Sequence, residues 1–113
     1  MAIVERNSQH KCHKIPGANF EFLAEDPTLD VQMATMEPGV DGATAQHEGK
    51  EALYILEGIL DVNVEGNTYH LSKGDSIVYQ STNPHRWTNP GASPARIIVV
   101  AIPKSYLARA LGL

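Results

Sequence analysis

The sequence predicts an all-β domain, a sandwich or barrel of short antiparallel strands. Three observations carry this. Turn signals recur at short intervals: Pro16-Gly17, Asp26-Pro27, Pro38-Gly39, Glu57-Gly58, Glu65-Gly66-Asn67, Lys73-Gly74-Asp75, Asn83-Pro84 and Asn89-Pro90-Gly91. The runs between them are of strand length, and the middle ones alternate apolar and polar residues with a period of two. Helical spacing is confined to the last few residues, which argues against βαβ units.

The predicted strands cover roughly residues 19–24, 30–37, 43–47, 51–57, 59–65, 67–72, 76–80, 85–89 and 95–102. Leu60, Val62 and Val64 share one face, with Asp61, Asn63 and Glu65 on the other. Glu65-Gly66-Asn67 closes a hairpin, because Gly and Asn tolerate positive φ, and Tyr69 and Leu71 continue the buried face on the return strand. Arg96 to Ile102 reads RIIVVAI, apolar on both faces, which predicts a strand covered on both sides, as at a subunit contact. After it, Ser105 caps a short C-terminal helix with Tyr106, Leu107, Ala110 and Leu111 on its apolar side. Residues 1–16 read as an N-terminal arm, and residues 17–113 as the barrel with its helical tail.

With 113 residues the chain suits one domain. Its single cysteine, Cys12, permits no internal disulfide, which fits a reducing cytoplasm. The net charge of -4 and the lack of a basic run predict no nucleic-acid contact by this chain itself. MAIVERNSQHK lacks the apolar stretch of a signal peptide, and no run approaches the roughly 18 apolar residues of a membrane span, so a cytoplasmic chain with no membrane contact is expected.

The chemistry-bearing residues are His47, Glu51 and His85. On one strand, His47 and Glu51 would point to the same face as Leu53 and Ile55, which is the inner one. A histidine and a carboxylate turned inward need compensation, and a divalent cation supplies it. His85, after the turn-forming Asn83-Pro84, supplies a third ligand from across the barrel. Two histidines and one carboxylate leave coordination positions open, unlike a closed four-ligand structural zinc site. The plainer role for a His-x3-Glu pair is an ion pair or a satisfied polar contact. Iron, manganese, nickel and zinc all accept such ligands.

The two stretches around these residues resemble the motifs of the cupin family. Gly39, His47, Glu51 and Gly58 in GVDGATAQHEGKEALYILEG match the first motif, and Gly74, His85 and Asn89 in GDSIVYQSTNPHRWTN match the second. The resemblance covers about residues 30–103 and implies a double-stranded β-helix, the jelly-roll barrel of that family. It also implies one divalent metal held by His47, Glu51 and His85, and a small-molecule ligand in the barrel. Ala45 stands where the family's first motif histidine belongs, and Gln80 and Thr82 replace the proline and glycine of the second motif.

Tyr79 and Trp87 flank His85. Trp87 shares the His85 face by alternation, so the two aromatics are candidate pocket-lining residues, with plain core packing as the other role. Tyr54 falls on the outer face, and His70 alternates toward solvent. His10-Lys11-Cys12-His13 lacks paired zinc-ligand spacing, and no nucleophile elbow or phosphate-binding loop is present, so no catalytic residue is assigned. The resemblance implies either a ligand-sensing module, like the cupin of bacterial helix-turn-helix regulators, or a metal-dependent enzyme of dioxygenase, isomerase or lyase type. It also implies a homodimer.

Overall fold

The computed structural model describes residues 2–103. Among them the chain forms nine strands and a single 3-10 turn over Asn7–Gln9. The strands are β1 (Lys11–Ile15), β2 (Ala18–Glu25), β3 (Asp30–Met36), β4 (Lys50–Glu57), β5 (Ile59–Val64), β6 (Asn67–Ser72), β7 (Ser76–Gln80), β8 (His85–Thr88) and β9 (Ala95–Ile102). They make two sheets, a six-stranded one ordered β1-β2-β3-β9-β4-β7 and a three-stranded one ordered β6-β5-β8, with every strand pairing antiparallel. The predicted all-β fold is the fold observed. The predicted C-terminal helix falls outside the described residues, none of whose helices is long and apolar enough to cross a membrane.

The core lies between the sheets. Leu53 and Ile55 of β4, Ile97 and Val99 of β9, and Leu60 and Val62 of β5 are almost wholly buried against one another. The expected face of Leu60, Val62 and Val64 is thus the inner one. Leu71 packs on this cluster, whereas Tyr69, paired with Val62, stays 46% exposed. Its strand β6 is the edge of the smaller sheet, where a ring is covered from one side only.

Two other segments differ from the sequence reading. Residues 43–47 do not form a strand: single bridges join Asp41 to Thr88 and Ala45 to His85, and the chain then bends at Glu48 and Gly49 before β4 begins. Lys11–Ile15, read as part of an arm, pairs with β2 as the edge strand of the larger sheet.

The outer face of the larger sheet is apolar as well. Val78, Ala52, Val100 and Val31 stand in register across β7, β4, β9 and β3, and Tyr54, Ile98 and Met33 form a second row beside them. Val78 is 68% exposed and Tyr54 lies outward, as its alternation predicted. An antiparallel sheet with one wet face would place polar residues here.

Two residues tie the loops that position the interior. Asn89, fully buried, donates from Nδ2 to Met36 O (3.0 Å) and Ser93 O (2.9 Å) and accepts from Gly91 N (2.9 Å), joining the end of β3 to the β8–β9 loop. Gly49 has φ +105°, and a Cβ there would lie 2.0 Å from Ile102 O and 2.4 Å from Pro103 Cδ. The Ile102 carbonyl is backbone and the Pro103 ring is rigid, so neither can swing aside to relieve the clash. Gly49→Ala is expected to cost at least about 2 kcal/mol, from strain and overpacking together. Thermal or urea unfolding of the variant checks this, and an unchanged midpoint would show that the bend tolerates a side chain.

Candidate metal centre

Glu51 lies near the start of β4, in register between Ala101 of β9 and Tyr79 of β7, with its side chain directed inward. His85 opens β8 in the opposite sheet. Asn83 N donates to Gln80 O (3.1 Å), closing the turn that delivers it, and Asn83 O accepts from His85 Nδ1 (2.8 Å). His47 sits in the loop before β4. Its N–H donates to Ser81 O (2.8 Å), while the fully buried Ser81 returns its own N–H to Gly49 O (2.9 Å). His47 and Glu51 therefore meet through a glycine bend braced by Ser81, and not through the period of a continuous strand.

The three side chains converge. Glu51 Oε2 is 3.4 Å from His47 Nε2, and Glu51 Oε1 is 3.3 Å from His85 Nε2. One ligand atom from each residue lies within 4.8 Å of the others, and the imidazole rings stand edge to face at 5.1 Å. A carbonyl can only accept, so the bond to Asn83 O places a proton on His85 Nδ1 and turns Nε2 toward Glu51. His47 Nδ1 faces Glu48 O at 3.4 Å in the same sense. Neutral rings held this way would aim two nitrogen lone pairs at a carboxylate. A positive charge has to stand between them, either ring protons or a cation. The donor set therefore fits a divalent metal.

Burial alone would push the Glu51 carboxyl up. The hydrogen bonds from His47 and Tyr79 and the charges of His47 and His85 outweigh it, so the group is held below the usual carboxylate range. Tyr79 is shifted the opposite way: burial first, then the Glu51 charge and hydrogen bond, raise its phenol far above the ordinary tyrosine value. It stays a proton donor at any working pH.

Beside the three residues lies a cavity of about 350 Å³. Phe20, Met36, Val40 and Val99 supply apolar wall, and Ile15 and Pro16, at the end of β1, contribute as well. Trp87 is part of this wall, whereas Tyr79 is not and stands behind Glu51 with its ring 5.0 Å from that of His85. Ala45 lines the same cavity. His70 points to solvent and pairs with Asp61 (2.7 Å). His10 pairs with Glu21 (2.8 Å) on the edge of the larger sheet, and Cys12 is exposed.

Sequence reasoning missed Gln32. It is 3% exposed, lines the cavity, and donates from Nε2 to the equally buried Asp30 (3.0 Å). Its signal was present: Asp30 and Gln32 alternate in phase with Ala34 and Met36, but Val31 and Met33 make the opposite face look like the inner one. Arg86 and Asp41, 3.5 Å apart and both exposed, were missed too.

Comparison with known proteins agrees with this architecture. The helix-turn-helix transcriptional regulator PuuR of Escherichia coli is 32% identical over 80 residues, covering 70% of this chain but only 43% of the regulator. The chain thus spans less than half the length of that relative. An RmlC-like cupin from Shewanella frigidimarina superposes with a TM-score of 0.82 at 21% identity, covering 94% of this chain and 95% of the other. KdgF from a Halomonas species superposes with a TM-score of 0.78 at 23% identity, covering 94% and 97%. At these identities the two structures speak for the fold alone. The cupin-domain family profile matches residues 32–101, the stretch that holds both motifs and all three convergent side chains, and the chain belongs to the cupin family.

Proposed function

We propose that this protein binds one divalent transition metal through His47, Glu51 and His85 and takes a small-molecule ligand into the cavity beside it. The convergence of two imidazole Nε2 atoms and one carboxylate within 4.8 Å, at the wall of an apolar cavity, carries this reading. Three protein ligands leave positions for the ligand's own oxygen or nitrogen atoms. The cavity volume falls at the lower end of the range for small-molecule sites, which suits a compact ligand. The similarity to part of a transcriptional regulator supports a sensing role, in which occupancy of the barrel is the signal. A net charge of -4 gives this chain itself no electrostatic hold on nucleic acid.

The second reading is a metal-dependent enzyme of dioxygenase, isomerase or lyase type, favoured by the open coordination positions. A bound ion would supply Lewis acidity, or oxygen activation in the case of iron. Around it, His47, Glu51 and His85 would hold the ion, and the apolar wall would exclude water from the ligand.

Elemental analysis of untagged protein, purified without chelator, is expected to give near one equivalent of iron, manganese, nickel or zinc. His47→Ala and Glu51→Ala should each abolish it while the barrel stays folded by circular dichroism, and Ala45→His should tighten binding. Full metal content in both alanine variants would refute the ligand assignment. The sign of the pH dependence follows from the ligands: a protonated imidazole has no lone pair to offer and must lose a proton to bind, so affinity should fall as the pH is lowered. A flat titration from pH 8 to pH 5 would argue against histidine ligation.

We also infer a homodimer built on the outer face of the larger sheet, where the rows Val78–Ala52–Val100–Val31 and Tyr54–Ile98–Met33 form one neutral, apolar strip. Lys50 borders it at one end and the Arg96–Glu57 pair (3.3 Å) at the other, a polar rim around an apolar centre. Sedimentation is expected to show a dimer for the natural chain and a monomer for Val78→Asp. A natural chain that sediments as a monomer would overturn the inference.

A further inference from the structure

Glu51 is held by a chain of two aromatic residues with a fixed direction. Tyr79 OH donates to Glu51 Oε1 at 2.6 Å, and Trp87 Nε1 donates to Tyr79 OH at 3.0 Å. An indole N–H can donate but never accept. The phenol oxygen must therefore accept from Trp87, which leaves its one hydrogen for Glu51. The direction of the whole chain, Trp87 to Tyr79 to Glu51, is set by the residue type at position 87. The links come from different strands: Trp87 from β8 of the smaller sheet, Tyr79 from β7, and Glu51 directly opposite Tyr79 on β4. The Tyr79 ring also lies tilted against His85 at 5.0 Å.

We infer that Tyr79 and Trp87 are positioning residues for the metal centre: their directed hydrogen-bond chain occupies Glu51 Oε1 and presents Oε2 to the cation beside His47. This rests on the proposed metal site and adds to it. It assigns Tyr79, which does not touch the cavity, a function other than packing, and it explains why a buried phenol is tolerated there. The two oxygens of Glu51 are then not equivalent: each faces one imidazole, Oε1 at 3.3 Å from His85 Nε2 and Oε2 at 3.4 Å from His47 Nε2, but only Oε1 also accepts the phenol proton. A carboxylate so divided would offer a cation Oε2 more readily than Oε1, whose lone pair the phenol engages. Freed of the phenol, it can swing or chelate with both.

Co(II) is the probe, since its visible absorption reports ligand number. The natural chain, Tyr79→Phe, Trp87→Phe and Ile77→Val are titrated with Co(II), with affinity from calorimetry and the visible spectrum recorded at saturation. Ile77→Val trims the core on the same strand and controls for loss of packing. Tyr79→Phe is expected to weaken binding about 10–100-fold, as loss of a supporting hydrogen bond does at metal ligands. It should also lower the visible absorption, as coordination number rises. Trp87→Phe should shift both readouts the same way by less, and Ile77→Val should shift neither. If Tyr79→Phe binds as tightly as the natural chain with the same spectrum, the inference is overturned. It is equally overturned if Ile77→Val loses as much affinity, since the effect is then packing. Should Tyr79→Phe fail to fold, Trp87→Phe decides alone: an unchanged spectrum and affinity refute the chain. Failure of the metal site itself has a separate signature, namely a natural chain that binds Co(II) no better than His47→Ala.

Discussion

A carboxylate enclosed in an apolar barrel must be compensated, and the compensation of Glu51 organises the interior of this protein. The residue is 5% exposed, and its neighbours along the sheet are Ala101 and Tyr79. Removing a charge from water costs several kcal/mol unless hydrogen bonds and opposite charge replace the solvent. Here the replacements are a phenol O–H and two imidazole nitrogens. Each replacement has its own support: Trp87 behind Tyr79, Asn83 O behind His85, and the Ser81–Gly49 backbone pair beside His47. The elements that carry these supports come from both sheets, so the site exists only when the barrel is closed.

How much of this was legible depended on which signals are local. The strands β5 and β9 showed themselves through alternation and through a doubly apolar run, both properties of adjacent residues. The motif spacing identified His47, Glu51 and His85 although the stretch before Glu51 is not a strand. The convergence of those side chains is therefore foreshadowed by the motif alone, since the strand-period argument for them fails at Gly49. Its φ of +105° turns the chain where a continuous strand would have carried it straight. A lone glycine between polar residues does not announce such a turn.

The inner and outer faces of the larger sheet explain the other misreading. Val31, Met33, Ile98 and Val100 are as apolar as the residues that face the core, so hydropathy alone cannot orient β3 or β9. Asp30 and Gln32 look like surface residues on that basis, yet they are buried and mutually hydrogen-bonded. A barrel that buries a polar site and also presents an apolar exterior inverts the usual pattern on both sides. The exterior pattern follows if that face is covered by a second copy, and the interior pattern follows from the site.

Position 45 shows how one substitution reshapes such a site without disturbing the fold. Ala45 keeps a backbone bridge to His85, with N···O distances of 2.8 and 3.0 Å, so the loop is tied to the start of β8 whatever its side chain. Only the side chain is reduced to a methyl group, and that methyl group lines the cavity. On the proposed reading the loss has two consequences of opposite sign. One ligand fewer lowers the affinity for a cation, and it places the remaining burden on the orientation of Glu51, which the Trp87–Tyr79 chain supplies. The missing imidazole also leaves more of the cavity open, and the apolar wall of that same cavity, Phe20, Met36 and Val40 included, could receive the body of a ligand. A cation held by three well-braced ligands next to an open apolar cavity is better suited to exchanging small molecules than to stapling the barrel, whose closure is already provided by Asn89 and the packed core.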